Sequence, residues 1–120
     1  MSEELKPQLA PRVEKYVVEN GPMTVEMRTE RKGLSQLGGG FARFDKGGAT
    51  APWKLPYEEI LCVVTGTLRL TFGGEVVEAR PGDVVTIPRG AEVIYEGEAG
   101  TSAFYALTPA DWYREFPNGL

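Results

Sequence analysis

Two glycine-bounded segments constrain what this chain can fold into more than any other feature of its sequence. The first, GGATAPWKLPYEEILCVVTG, occupies residues 47–66, and the second, GDVVTIPRGAEVIYEG, occupies residues 82–97. Each places a run of β-branched, aromatic and aliphatic residues between glycine turns. That pattern predicts a strand that ends in a tight turn on both sides.

Short β segments of this kind continue through the second half of the chain. They are separated by glycine-containing turns and read YEEILCVV, TLRLTF, EVVEA, DVVTIP, EVIYE and TSAFYAL. Six strands at near-regular spacing with no helix between them predict a sandwich or a barrel. The Gly73-Gly74 pair fits a two-residue hairpin, since glycine takes positive φ without a Cβ clash. Pro88 should end its strand because it has no N–H to give to a ladder.

The first part of the chain has a weaker pattern. Residues 1–12 are polar and contain two prolines, so we expect a loosely held arm, followed by a single domain over residues 13–120. A short strand anchored by Val13, Tyr16 and Val18 is predicted next. The segment MTVEM then alternates apolar and polar residues, which is the period of a half-buried strand.

The glycine-rich stretch around Gly38–Gly40 permits two interpretations. One is a kink, after which a strand carries Phe41 and Phe44 to close the barrel. The other is a phosphate cradle assisted by Arg43 and Lys46. No G-x-x-x-x-G-K-[ST] sequence is present and no helix pattern follows, so turns and bulges are the favoured interpretation.

A short helix is predicted near the end of the sequence. Thr108 suits an N-cap and Pro109 suits the first helical position. Trp112 and Phe116 lie four residues apart and would share one face, and Pro117 would end the helix. We expect this helix to pack its aromatic face on the barrel or on a partner.

Composition excludes several classes of function. The formal net charge of −4 argues against a nucleic-acid groove, which needs a basic surface. No apolar run approaches the roughly 20 residues that span a bilayer, and MSEELKPQLAPR lacks the pattern of a signal peptide. We therefore expect a cytoplasmic protein with no nucleic-acid or membrane partner.

The absence of histidine removes several mechanisms together. With no histidine, the chain has no Ser-His-Asp relay, no imidazole base and no histidine-ligated metal. Cys62 is the only cysteine, so no intramolecular disulfide forms. It lies in the run ILCVV, where a free cysteine usually behaves as a small buried hydrophobe.

The spacing inside the two glycine-bounded segments resembles the two signature motifs of the cupin family. The positions that carry it are Gly47, Trp53, Leu55, Glu59 and Gly66 in the first segment, and Gly82, Pro88, Gly90, Val93 and Gly97 in the second. Metal-binding cupins have histidines where this chain has Trp53, Leu55 and Val93, and an asparagine at Gly97; the glutamate remains as Glu59. The resemblance implies an all-β, RmlC-like jelly-roll barrel without the ordinary metal site.

Within that family the chain resembles the EutQ-like cupins of ethanolamine utilisation. The residues of this likeness are Pro52-Trp53, Leu55, Tyr57-Glu58-Glu59-Ile60, Gly66, Pro81-Gly82-Asp83-Val84, Ile87-Pro88-Arg89-Gly90, Phe104-Tyr105 and Pro109-Ala110-Asp111-Trp112. That subgroup also lacks the histidines, and the resemblance implies a homodimer with a pocket inside each barrel. Acetate kinase activity is attributed to the ethanolamine-utilisation branch, but no motif carries its residues over to this chain.

An aromatic pocket with one carboxylate follows from strand alternation and the cupin pattern. The predicted ligand-binding residues are Trp53, Leu55, Tyr57, Glu59, Val93, Tyr95 and Tyr105. Register alone leaves open whether Tyr105 or Phe104 lines the far wall. Such a cavity suits an amine or a small planar ligand through cation–π and stacking contacts.

Glu59 has two interpretations, an acid/base or ligand-binding carboxylate with a raised pKa, or a structural glutamate held by a neighbour. We predict no cofactor and no resident metal, although Glu59 with a second carboxylate and waters leaves a weak Mg²⁺ or Mn²⁺ site open. The leading hypothesis is a metal-free small-molecule-binding cupin. The alternatives are an enzyme, for example one with acetate-kinase-like phosphoryl transfer and Glu59 as the candidate catalytic residue, and a non-catalytic accessory protein.

Overall fold

The computed structural model describes residues 5–115, and within them β-strands are the main regular elements, joined by turns, loops and short 3-10 turns. The strands are β1 Val17–Asn20, β2 Met23–Met27, β3 Gly38–Phe44, β4 Gly48–Ala49, β5 Trp53–Lys54, β6 Glu58–Thr65, β7 Leu68–Phe72, β8 Glu75–Ala79, β9 Val84–Ile87, β10 Glu92–Gly97 and β11 Thr101–Thr108. The six strands predicted in the second half of the sequence are confirmed.

The strands form two antiparallel sheets. One has six strands in the order β1-β2-β3-β11-β6-β9, and the other has the order β4-β10-β7-β8 with β5 also paired to β10. Gly73 and Gly74 both take positive φ, 56° and 83°, in the β7–β8 hairpin. This confirms the predicted turn, because a two-residue hairpin of this hand needs positive φ at both central positions. Pro88 follows directly after β9, also as predicted.

Side-chain alternation puts one face of the six-stranded sheet inside and leaves the other outside. In β6 the buried residues are Glu59, Leu61 and Val63, while Ile60 and Val64 are about half exposed. In β11 the buried residues are Thr101, Ala103, Tyr105 and Leu107. The inner faces of both sheets supply one apolar core, with Phe44, Leu55, Leu61 and Val63 among its most deeply buried members.

The predicted kink at Gly38–Gly40 is wrong, because these glycines are the first three residues of β3. Their role is close packing of strands. A Cβ on Gly40 would overlap the main-chain carbonyl of Glu26 on neighbouring β2. Phe44 is 1% exposed and closes the core as predicted, whereas Phe41 lies on the outer face against Phe104.

Gly97, at the position where the cupin motif has an asparagine, is also explained by packing. A Cβ there would lie 2.6 Å from the ring of Phe44. The absence of a side chain at the end of β10 therefore makes room for the largest fully buried aromatic ring of the core.

Two predictions for the N-terminal part need correction. Residues Glu14–Tyr16 form a 3-10 turn, so the first strand begins at Val17, and Val18 is exposed rather than an anchor. The alternation predicted for β2 also fails, because Thr24 and Glu26 on the outer face are as buried as Met23 on the inner face. Ion pairs that the sequence pattern does not reveal cover this part of the outer face.

The predicted C-terminal helix is not confirmed. Thr108 is the last residue of β11 rather than an N-cap, the Thr108–Pro109 peptide bond is cis, and Trp112–Glu115 form a 3-10 turn. Phe116 and Pro117 lie outside the described residues. Over residues 5–115, no helix is long and apolar enough to cross a membrane.

Candidate functional site

The structure gathers the seven predicted ligand-binding residues at one end of the barrel core. Leu55, Tyr57, Glu59, Val93, Tyr95 and Tyr105 are buried, and Trp53 is half-buried against the same core. The register between β10 and β5 pairs Val93 with Trp53. The main-chain bonds Leu55 N–H to Ala91 O (2.9 Å) and Gly90 N–H to Leu55 O (2.8 Å) then hold the chain in place as it turns into β6.

A hydrogen-bond chain links four of these side chains. The Tyr95 hydroxyl donates to Glu59 Oε1 at 2.8 Å. Trp53 Nε1–H donates to the Tyr57 hydroxyl at 3.3 Å, and the Tyr57 and Tyr95 hydroxyl groups also interact by a hydrogen bond. These four side chains thus connect the half-buried indole with the buried carboxylate. Such a chain polarises each of its members in a low-dielectric interior.

Glu59 is a buried carboxylate with a neutral partner. Only 7% of it is exposed. Burial raises the pKa of Glu59 to about 7, and the hydrogen bond from Tyr95 only partly opposes that rise. Near neutral pH its carboxyl group therefore exchanges between acid and carboxylate, the range in which a proton donor or acceptor is most useful.

The three tyrosines of the core respond to the same environment. Burial raises the pKa of Tyr57, Tyr95 and Tyr105 well above the ordinary phenol value, and the charge of Glu59 raises each of them further. Their hydroxyl groups therefore stay protonated. They act as hydrogen-bond donors and neutral acceptors, which leaves Glu59 as the group that titrates.

An open cavity of about 350 Å³ lies at the mouth of the barrel, next to this core. Its inner wall includes Met27, Tyr105 and Leu107, and Trp112 and Tyr113 stand beside them. The β2–β3 loop closes the other side with Thr29, Glu30, Arg31, Leu34, Ser35 and Leu37. Tyr105 is the member of the predicted set that reaches this cavity, while the others are packed in the core behind it.

The 3-10 turn after β11 covers the aromatic core from the same end. The ring of Trp112 lies 5.2 Å from the ring of Tyr57 and 6.0 Å from that of Trp53. These contacts agree with the prediction that the C-terminal segment packs aromatic side chains on the barrel. Sequence reasoning gave Trp112 only a packing role, and the wall formed by the β2–β3 loop carried no motif that could have revealed it.

A second hollow, of about 480 Å³, lies on the other side of the six-stranded sheet. Its lining includes the outward-facing Glu58, Ile60, Thr86, Ala106 and Thr108, together with Leu37 and Pro88. Three residues of the inner face, Glu59, Ile87 and Leu107, also reach it. Glu58 is exposed there, on the opposite face of β6 from the buried Glu59. Phe104 is on this outer face too, so Tyr105 lines the interior and the question left open by the sequence is answered.

A cation site built from several carboxylates is not found within residues 5–115. No three His, Cys, Asp or Glu side chains of that part of the chain converge closely enough to hold a metal ion. At the three positions where metal-binding cupins carry histidine, Leu55 and Val93 are buried apolar groups and Trp53 donates its indole N–H to Tyr57. None of these side chains can coordinate a metal.

Comparison with known proteins gives a consistent result. A family model described as ethanolamine utilisation protein EutQ matches residues 14–114. The chain is similar to the acetate kinase EutQ of Salmonella typhimurium, with 34% identity over 87 residues that cover 72% of this chain and 37% of that relative. It spans 33% to 40% of the length of the curated relatives it matches.

Two solved structures resemble the barrel. The EutQ protein of Clostridium difficile superposes with a TM-score of 0.74 at 25% identity, covering 85% of this chain and 82% of that one. An RmlC-like cupin from Shewanella frigidimarina gives a TM-score of 0.63 at 18% identity, covering 78% and 83% of the two chains. The second likeness shows the cupin fold alone.

Proposed function

The chain belongs to the EutQ family, and from this premise we propose that it is a metal-free cupin that binds a small molecule in its aromatic-lined barrel. The observation that carries the proposal is the buried Glu59 carboxyl group, which accepts a hydrogen bond from Tyr95 at 2.8 Å and whose pKa shift has no contribution from a cation of residues 5–115. A structural glutamate in such a core is normally paired with a cation. An unpaired one suits a ligand that brings a hydrogen-bond donor or a positive charge.

The ligand class follows from the chemistry of the walls. Tyr57, Tyr95, Tyr105 and the two indole rings of Trp53 and Trp112 offer π faces, and Glu59 offers the single acidic group among them. An amine or a small planar molecule meets both features, because aromatic faces attract cations and stack on planar groups. Entry is from the mouth cavity next to Tyr105.

Thermal-shift measurements with small amines test this function against the matched variants Glu59→Gln and Glu58→Gln. Glu58 is the exposed neighbour of Glu59 on the outer face, so its variant changes the same charge without entering the core. We expect the ligand-induced shift to be lost with Glu59→Gln and kept with Glu58→Gln. Equal shifts in both variants would show that Glu59 is not the central group.

A second candidate is an acetate kinase activity, which is phosphoryl transfer to a small carboxylate, because the similar Salmonella protein is called acetate kinase EutQ. The likeness to that relative favours it, but this chain spans only 37% of the relative's length. A thermal shift with nucleotide plus Mg²⁺, and acetyl phosphate formation from acetate and ATP, would support the enzyme. A response to neither nucleotide nor amine would favour a non-catalytic accessory protein.

We also propose a cytoplasmic homodimer. The outer face of the six-stranded sheet supports the dimer, because Ile60, Val64, Val84 and Phe104 on its adjacent strands are each between 43% and 62% exposed. Contiguous apolar patches of this kind are uncommon on monomers. Light scattering of the parent protein and of the Ile60→Glu variant tests the dimer. We expect the parent protein to be a dimer and the variant to be a monomer. A monomeric parent protein would contradict the proposal.

A further inference from the structure

The mouth cavity carries a charge pattern that the barrel interior does not share. Four of its lining residues are charged, two acidic and two basic: Glu30, Arg31, Asp111 and Arg114. Polar groups make up most of its exposed surface, and Leu34, Leu107, Tyr105 and Trp112 are among the apolar and aromatic side chains of its walls. A site with both signs of charge beside such side chains matches a ligand that carries both charges on an apolar body.

The wall that presents Arg31 is held at several points. Gly39 N–H donates to Thr29 Oγ1 at 3.0 Å, and Lys32 N–H donates to Thr29 O at 3.2 Å. Near the far end of the loop, Ala110 N–H donates to Gln36 O at 2.8 Å and ties it to the segment after β11. The β2–β3 loop is therefore a built wall of the cavity.

Arg31 itself has an uncommon backbone. Its φ is 57°, and within residues 5–115 Arg31 is the only non-glycine residue with a positive φ. A residue with a Cβ pays a free-energy cost in this conformation, and such costs concentrate where side-chain position serves binding or catalysis. Glycine would adopt this conformation at a lower free-energy cost. A role for the Arg31 guanidinium group in binding therefore accounts for arginine at this position.

The mouth and the barrel interior are electrostatically connected. Tyr105 lines the cavity, and the charges of both Glu59 and Glu30 act on its hydroxyl group. A ligand over Tyr105 therefore lies between the acid of the core and the acid of the mouth. On the other side of the cavity, Arg114 is 75% exposed and only 3.6 Å from Asp111, a loose pair that a ligand carboxylate can replace.

We propose that the mouth cavity binds a small zwitterion, the chemistry of a free α-amino acid with an apolar or aromatic side chain. Arg31, assisted by Arg114, receives the carboxylate, Glu30 receives the ammonium group, and the aromatic wall of Tyr105 and Trp112 holds the side chain. This inference rests on the proposed small-molecule function, because the mouth is the entrance to the same barrel. It differs in naming the charges that the ligand carries.

Three probes with one phenyl body test the charge requirement: L-phenylalanine, 3-phenylpropionate and 2-phenylethylamine, titrated by calorimetry at pH 7.5 and low salt. We expect L-phenylalanine to bind roughly tenfold more tightly than either single-charge analogue, since each analogue lacks one of the two charged contacts. Similar affinities for all three probes would overturn the inference.

Variants of Arg31 and Glu30 test which residue binds each charged group of the ligand. Arg31→Gln should weaken L-phenylalanine and 3-phenylpropionate and spare 2-phenylethylamine, whereas Glu30→Gln should weaken L-phenylalanine and 2-phenylethylamine and spare 3-phenylpropionate. Lys32→Ala is the matched control, because Lys32 is in the same loop but does not line the cavity. Arg31→Gly should fold at least as stably as the parent yet lose affinity for the carboxylate probes. Retained affinity in both Arg31 variants would contradict the assignment.

Glu59→Gln separates this inference from the wider proposal. If only 2-phenylethylamine binds and its affinity depends on Glu59, the result supports ligand binding in the barrel and contradicts the zwitterion site. If L-phenylalanine binding depends on Arg31 and Glu30 but not on Glu59, the result supports the site in the mouth cavity and contradicts the proposed role of Glu59. The absence of heat with all three probes overturns both.

Discussion

Among the residues whose burial the structure describes, two glutamates are buried to nearly equal extent in opposite electrostatic surroundings. Glu26, 5% exposed, lies on the outer face of β2 and pairs with Arg12 at 3.2 Å, with Arg28 at 2.8 Å and with Arg43. Glu59, 7% exposed, lies on the inner face of β6 and receives a hydrogen bond from neutral Tyr95. Burial alone therefore does not fix the electrostatic state of a carboxylate, because that state also depends on the charge of its partners.

The Glu26 cluster has a clear structural role. Arg12 belongs to the N-terminal segment and Arg43 to β3, so the carboxylate ties three parts of the chain together. Arg28 also stacks on the ring of Phe41, with its guanidinium carbon 5.1 Å from the ring centroid. The cluster thereby fixes the start of the barrel, whereas Glu59 has a hydrogen bond from Tyr95 in place of such ion pairs.

The largest expected effect comes from Glu26→Gln. Removing the carboxylate from a buried ion-pair cluster leaves three arginines close together without their counter-charge. We therefore expect a loss of about 3 kcal/mol in the free energy of unfolding. This is the lower end of the range for a buried pair, because the arginines are partly exposed. Urea denaturation at pH 7 measures it, with exposed Glu75→Gln as the control. A loss below about 0.5 kcal/mol, the size of surface effects, would remove the contrast between the two glutamates.

The next effect is the pH dependence contributed by Glu59. Its folded-state pKa of about 7 is higher than the ordinary value of 4.5, so the folded protein binds more protons than the unfolded chain between these two pH values. Its contribution to stability is therefore greatest below about pH 4.5, falls as the pH rises to 7, and is constant above. The total change is at most about 3 kcal/mol.

Denaturation of the parent protein and of Glu59→Gln across pH 4.5 to 8 isolates this contribution. The variant should be relatively more stable at pH 8, because glutamine needs no charge in the core. The difference between the two proteins should shrink as the pH is lowered. A constant difference over the whole range would mean that Glu59 does not titrate there.

Tyr95→Phe should have a smaller effect. It removes the hydroxyl group that hydrogen-bonds to Glu59 Oε1, and we expect a loss of about 1–2 kcal/mol together with a further rise in the pKa of Glu59. Equilibrium unfolding as a function of pH reports both. Tyr113→Phe, at an exposed tyrosine, is the control; an unchanged midpoint and pH profile in Tyr95→Phe would disconnect Tyr95 from the carboxylate.

The smallest expected effect is that of Arg12→Ala. Arg12 is 39% exposed, and Glu26 keeps Arg28 and Arg43 as partners when it is removed. We expect a loss of about 0.5–1 kcal/mol, in the range of a partly exposed ion pair, and less at high salt. A loss as large as that of Glu26→Gln would mean that the pair between Arg12 and Glu26 accounts for the whole stabilisation by the cluster.

The sequence alone determined the β architecture, because glycine turns and two-residue alternation act locally and leave a direct record in the residue order. The same alternation predicted one shared face for each strand that carries Glu59, Tyr95 and Val93. The resemblance to the cupin motifs then predicted that these faces point into the same barrel. The Gly73-Gly74 hairpin and the strand end at Pro88 were predictable for the same reason. Each depends on backbone conformations that one or two residues set.

Only the tertiary structure decided which outward-facing residues are buried and where the open space lies. Glu26 looked like a solvent-facing residue until three arginines from separate segments converged on it, and the mouth cavity joins a loop and a 3-10 turn more than 70 residues apart in the chain. Strand pairing, long-range ion pairs and strand-to-strand glycine contacts all join residues distant in sequence, so no local pattern records them. For that reason the sequence predicted a barrel containing an acid, whereas the mouth cavity and the partners of its charged groups required the folded chain.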